Sequence, residues 1–442
     1  MRPNTLNSTI TTTLHRLSRW LLVVLISACQ PASENSRPVG LEIWAHAGQQ
    51  AERTVLEAQI ARFNGRHDDI RVSLTFLPEG AYNGQVQSAA LAGELPDILE
   101  FDGPYLYNYA WAGKLRSLDE LLPDELLADL LPSVTAQGRY RGKLFAVGTF
   151  DSGLGLYAHR GALADVGIRM PEAPQQAWTI EEFDTLLEAL AQKDPDGAVL
   201  DLKLNYSGEW FSYGFAPIVQ SAGGDLIDRR NYQTAQGVLN GAASVRALQR
   251  VQNWFNNGYV DANLDDAAFV TQRVALSWVG HWEYSRYHAA LGEELMLVPL
   301  PDFGNGTRTG QGSWNWGITK RCANPRAAAK FLAFLLEPEE VLAMSGANGA
   351  VPATYRAIAR SPRFATGGPL HLYVQQLTEG VAVPRPRTPA YPTISSAFAQ
   401  AIDDIRHGTV VQTALDRAVT IIDQDLSDNH GYPVVATEGG WP

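Results

Sequence analysis

Disulfide, metal and nucleotide chemistry all lack the residues they need in this chain. Only two of the 442 residues are cysteine, Cys29 and Cys322, too few for a disulfide framework. No HExxH, CxxC or Walker segment occurs, so zinc proteolysis, dithiol exchange and P-loop chemistry are unsupported. The histidines are scattered without metal-ligand spacing, and neither a metal nor a cofactor is expected. Positive charge is scarce as well: 35 Lys and Arg stand against 47 Asp and Glu, a formal net charge of −12. With no run of Lys or Arg, nucleic acid is excluded as a partner. What remains is an ordinary globular composition, 45% hydrophobic and 19% charged, in a chain long enough for two lobes.

The apolar run Trp20–Ile26 follows Arg16 and Arg19 and leads through Ser27 and Ala28 to Cys29. It is too short to cross a bilayer, which takes about 20 residues, and reads as an export signal. Leu25-Ile26-Ser27-Ala28-Cys29 resembles a bacterial lipobox, in which the cysteine becomes the lipidated first residue of the mature chain. Residues 1–28 are then a signal peptide and 29–39 a tether. Cys322 is left alone in the exported body, where it reads as a small buried hydrophobe.

From residue 40 the periodicity alternates. Leu41–Ala45 reads as a strand, Leu56, Ile60 and Phe63 share one helix face, and Val72, Leu74 and Phe76 recur with period two. A helix around Val86–Leu91 and a strand over Pro96–Phe101 complete βαβαβ, hence a mostly parallel, doubly wound sheet. Thr179 and Glu182 form a capping box for a helix over 180–191. Asn324-Pro325 opens a helix as N-cap and N1. Ile394, Phe398, Ile402 and Ile405 mark one amphipathic helix, and Leu415, Val419 and Ile422 another.

Just after the strands, where open α/β sheets bind ligands, one combination of residue types recurs: an acid or amide, an aromatic and a glycine. It appears at the strand ends Trp44–Gln49, Phe101–Tyr105 and Thr149–Gly153, and the same residue types recur at Gly208–Phe211, Gly280–Glu283 and Gln311–Gly317. A pyranose has an apolar C–H face and a fringe of hydroxyls, so its site needs flat aromatic platforms with bidentate acceptors at the edge. On that reading Trp314 and Trp316 border a cleft with Asn315 between them. A strand turning both indoles into a core is the alternative.

Leu95-Pro96-Asp97-Ile98, Asp102-Gly103-Pro104-Tyr105, Tyr109–Leu115, Val279–Trp282, Trp314–Ile318 and Arg385–Pro392 together resemble the solute-binding proteins of carbohydrate ABC importers, the maltose-binding-protein group. The resemblance runs from Leu41 to about Leu426. It implies a two-lobed α/β periplasmic-binding-protein fold with a ligand cleft between the lobes and a hinge of several chain crossings. One lobe would hold 40–149 and 317–378, the other 150–312 and 384–430, with crossings at 313–316 and 379–383 and a tail at 431–442.

The resemblance further implies a monomeric, non-catalytic binder of a neutral di- or oligosaccharide, exported to the periplasm or cell surface, anchored through lipidated Cys29 and read by an ABC permease. Its implied sugar contacts are Trp44, His46, Gln49, Asp102, Tyr105, Asp151, Glu209, Trp210, Trp282, Trp314, Asn315, Arg387 and Tyr391. His46, Gln49 and Gln50 stand where maltose-type relatives carry charge, which argues against maltose itself. Two other readings stay open: a glycoside hydrolase using paired carboxylates in the same cleft, and a binder of an anionic sugar or phosphorylated solute through Arg385 and Arg387.

Overall fold

The computed structural model describes residues 37–433; the signal segment and Cys29 lie outside the described residues. The alternating pattern at the start becomes the strand Val39–His46, the helix Gln50–Arg66, the strand Ile70–Leu77, the helix Glu79–Ala92 and the strand Ile98–Asp102. Val39–His46 lies between the other two strands, in parallel register with both, Val39 opposite Ile70 and Ile43 opposite Ile98. Successive residues of Ile98–Asp102 enter different cores, Ile98 joining Leu41, Ile43 and Phe331, and Leu99 joining Tyr82 and Tyr109. Burial on both faces explains why the successive residues Ile98 and Leu99 are both apolar.

Trp314–Ile318 completes that sheet instead of forming a free crossing. It runs antiparallel between Ile98–Asp102 and Ala146–Gly148, with Trp314 opposite Asp102 and Trp316 opposite Glu100. The chain enters it from the cleft end, against the direction of its parallel neighbours, so the expected parallel sheet is mixed. The second sheet departs further. Leu154–His159 is flanked antiparallel by Leu276–Gly280 and Leu295–Val298, and only Leu200–Asp201 pairs parallel. Its core gathers Leu156, Phe183, Trp254 and Trp278.

Two short pairings tie the crossings together. Phe150–Asp151 pairs with Val351–Pro352, and Thr309–Gln311 runs parallel to Ala382–Pro384. The expected boundary at 378 shifts toward the N-terminus, because Phe364, Leu370 and Tyr373 pack in the second core. The Tyr373 hydroxyl meets that of Tyr157 at 2.9 Å, and Gln376 donates to the Leu154 carbonyl at 3.0 Å. The helix His371–Thr378 therefore belongs with the half assigned to 150–312.

Local expectations hold where the side chain itself carries the signal. The Thr179 hydroxyl accepts from the Glu182 amide at 3.2 Å while the Glu182 carboxylate accepts from the Thr179 amide at 2.9 Å. Asn324 takes the N-cap position of Pro325–Leu335, yet its side chain makes no capping bond. Cys322 is buried, and burial pushes its thiol up to about 11, so it is no nucleophile.

Candidate functional site

A cavity of about 280 Å³ opens where the two sheets approach. The first sheet and its helices contribute His46, Gln49, Glu52, Glu79, Asp102 and Trp314. The opposite wall is Tyr206, Glu209, Trp210, Tyr213 and Trp282, with Arg385 at the base. Of the expected contacts, His46, Gln49, Asp102, Glu209, Trp210, Trp282 and Trp314 thus come together.

The others do not reach it, each for a local reason. Asp151 is fully buried and accepts from Gln137, Gln311 and the Ser152 amide at 3.1, 3.2 and 2.8 Å, so it knits the crossing strands below the cavity. Asn315 is buried in its strand and donates to the Ser313 carbonyl at 3.0 Å. The Trp44 indole lies on the outer core and donates to Glu42 at 3.3 Å. Tyr105 and Tyr391 stand behind Glu209 and donate to it, Tyr105 at 3.4 Å. Arg387 is exposed, and Arg385, two residues earlier, is the arginine that enters.

Trp314 and Trp316 resolve differently although they share a strand face. Trp314, at the cleft end, lines the cavity with its ring parallel to His46 at 3.7 Å and edge-on to Tyr82 at 5.1 Å. Trp316 lies deeper, 3% exposed, against Phe331. Gly312 precedes them at φ +135 with the Arg385 guanidinium against it; a Cβ there would stand 2.8 Å from Nη2.

Across the cavity the aromatic wall is held at steep angles. Trp210 stands 88° to Trp282 at 6.2 Å and 78° to Tyr206 at 5.4 Å. The Trp282 indole donates to the Tyr206 hydroxyl at 3.2 Å, which donates at 2.6 Å to the buried Glu283. Gly280 sits under Trp282: a Cβ there would stand 2.0 Å from Cζ3 of the ring, so this platform requires glycine.

The base of the cavity is ionic. Arg385, 6% exposed, bridges Asp102, bonded through both Nη atoms with one at 2.6 Å, and Glu209 at 3.0 Å, and lies 4.6 Å over the Tyr213 ring. Burial opposes the guanidinium charge, but Asp102, Tyr391 and Glu209 outweigh it and hold the group protonated. Glu209 also accepts from Ser395 at 2.6 Å, and burial raises its pKa above the usual carboxylate value despite Arg385.

His46 carries the second cation. Its Nδ1 lies 2.7 Å from Glu100, whose carboxylate also accepts the His46 amide at 3.1 Å. Burial by itself would lower the imidazole pKa; Glu100, helped by Glu52 and Glu79, raises it to about 9. A folded-state pKa above the unfolded one of about 6.5 means that the folded protein holds the proton more tightly. The stabilisation is complete below about 6.5 and disappears as the pH rises through 9. Urea unfolding of the parent and of His46→Gln across this window should show their stability difference shrinking by roughly 3 kcal/mol; a difference independent of pH would contradict the charged pair. His281 behaves oppositely. Burial lowers it to about 4 although Nδ1 faces the Asn348 carbonyl at 2.7 Å, so it destabilises the fold as the pH falls from about 6.5 toward 4.

Glu52, Glu79, Tyr206 and Tyr213 are not singled out by the sequence, which gives Arg385 only as a contact to an anionic ligand. Glu52 and Glu79 lie in the first turns of helices and not in the segments that directly follow strands. Tyr213 closes the short helix Trp210–Tyr213, four residues after Glu209, whereas Tyr206 lies in the loop that precedes it.

The model of the bacterial extracellular solute-binding protein family matches residues 58–367. A lipoprotein of the oleD 5′ region of Streptomyces antibioticus is 21% identical over 76% of this chain and 76% of its own. The melibiose/raffinose/stachyose-binding protein MelE of Bacillus subtilis is 27% identical over 41% of this chain and 40% of its own. Among solved structures, the cyclic alpha-maltosyl-1,6-maltose binding protein of Arthrobacter globiformis superposes with a TM-score of 0.70 at 24% identity, covering 88% of this chain and 100% of that one. With the two-lobed fold in place and most of its length matched, the chain belongs to the bacterial extracellular solute-binding protein family.

Proposed function

We propose that this protein is the substrate-binding component of an ABC sugar importer, capturing a short saccharide by lobe closure and delivering it to a membrane permease. The observation that carries this reading is the pair of indoles Trp282, in the turn that follows Leu276–Gly280 of the second sheet, and Trp314, in the first sheet, which line one cavity together with Asp102 and Glu209. Aromatic faces take up the C–H side of a sugar ring, and Asp102, Glu209 and Gln49 meet its hydroxyls. A ligand touching both walls gains contacts available only when the lobes are closed, which shifts the population toward the closed form. The volume of about 280 Å³ lies at the low end of small-molecule sites, roughly 300–1,000 Å³, and favours one or two rings over a long oligosaccharide.

Export and lipidation at Cys29 fit this role, and the Streptomyces relative is itself named a lipoprotein. Hydrolysis is the weaker reading: Asp102 and Glu209 share one guanidinium nitrogen, so neither stands free as a nucleophile. A thermal-shift screen of mono-, di- and trisaccharides tests the proposal. A bound sugar at about 100 times its Kd adds about 2.7 kcal/mol of apparent stability and should raise Tm by several degrees. A flat response across the panel would overturn saccharide capture, and steady release of reducing ends would favour the hydrolase.

A further inference from the structure

The polar groups of the cavity are unevenly distributed, and the imbalance bears on the ligand's own chemistry. The two cations present are already engaged: Arg385 by Asp102 and Glu209, His46 by Glu100. Glu52 and Glu79 also line the cavity around His46. Among the described residues neither carboxylate forms a salt bridge with a lysine or arginine. Glu52 accepts only the Gln49 amide at 2.8 Å and the Asn348 side chain at 3.2 Å.

Asn83, one helical turn after Glu79, also lines the cavity and carries a buried side-chain oxygen with no donor. This end is therefore rich in acceptors and in net negative charge. Around Arg385 the two carboxylates Asp102 and Glu209 face one guanidinium, and one donor is unmatched: Arg385, nine-tenths buried, has an Nε with no acceptor, next to Gly312, where a Cβ would come within 3.5 Å of it. A buried polar group left unmatched is destabilising, so a complementary ligand brings donors and positive charge to the first end and an acceptor oxygen to the second.

We propose that the ligand is a one- or two-ring amino sugar, with its protonated primary or secondary amine between Glu52, Glu79 and the Asn83 oxygen and a ring hydroxyl oxygen at Arg385 Nε. This rests on the saccharide reading above and narrows it. A quaternary ammonium fits less well, because it offers no N–H to the unmatched acceptor.

The test is calorimetry at about pH 6.5 with matched probes: glucosamine and galactosamine, the β-1,4-linked glucosamine dimer, the N-acetylated twin of each, and cellobiose. The amines should bind about tenfold more tightly than their neutral twins, with an advantage that falls as salt is raised. Glu79→Gln should bring the ratio of amine to neutral-twin affinity close to one. Neutral twins binding as tightly as the amines would overturn the amine and leave sugar capture standing. Loss of every saccharide, amine or neutral, would overturn the underlying reading as well.

Discussion

Replacing Arg385 by methionine is expected to lower the unfolding free energy by about 3–5 kcal/mol near neutral pH, the usual effect of breaking a buried ion pair from one side. The substitution leaves Asp102 and Glu209 facing each other in a site from which both are largely excluded from water. The deficit should narrow as the pH falls, because burial already raises the pKa of Glu209 and the first proton taken up relieves the repulsion. Adding Asp102→Asn and Glu209→Gln to Arg385→Met should recover much of the loss, since a triad neutralised together leaves no uncompensated charge. Urea denaturation of the parent, the single and the triple variant measures both effects. A single variant within about 1 kcal/mol of the parent would mean that solvent, not the carboxylates, balances this arginine.

Trp282→Ala is expected to weaken saccharide binding by at least about 2 kcal/mol, roughly 30-fold in Kd, as truncation of a central aromatic anchor does. Its effect on folding should be smaller, because Trp282 is only partly buried and packs at the edge of the second core. Gly280→Ala gives the same test by a different route. The added Cβ occupies the position of the ring edge, 2.0 Å from Cζ3, so the indole must swing away while its chemistry remains. Titration calorimetry with a sugar found in the thermal screen, alongside urea curves, separates affinity from stability. Parent-like affinity in both variants would remove Trp282 from the site.

The residues legible in the sequence were those whose signal is local. The capping pair Thr179 and Glu182, the apolar stripe Ile394–Ile405 and the segments at Asp102, Glu209 and Trp282, where a glycine stands beside an acid and an aromatic, are marked by residue type and spacing, and those three segments do meet at one cavity. Arg385 and Arg387 were harder to separate. Both lie in the same proline-rich segment, and what distinguishes them is a pair of carboxylates contributed from about 180 and 280 residues earlier in the chain.

By itself the sequence determined the alternation of strands and helices, the family, and which residue types would gather near the strand ends, because periodicity and turn chemistry act over a few neighbours. The tertiary structure decided the direction of Trp314–Ile318, which core received Tyr373, and why Trp314 meets the cavity while Trp316 does not. Those outcomes depend on burial against distant segments, and two tryptophans on one strand face carry the same local pattern until a helix covers one of them and leaves the other beside the cleft.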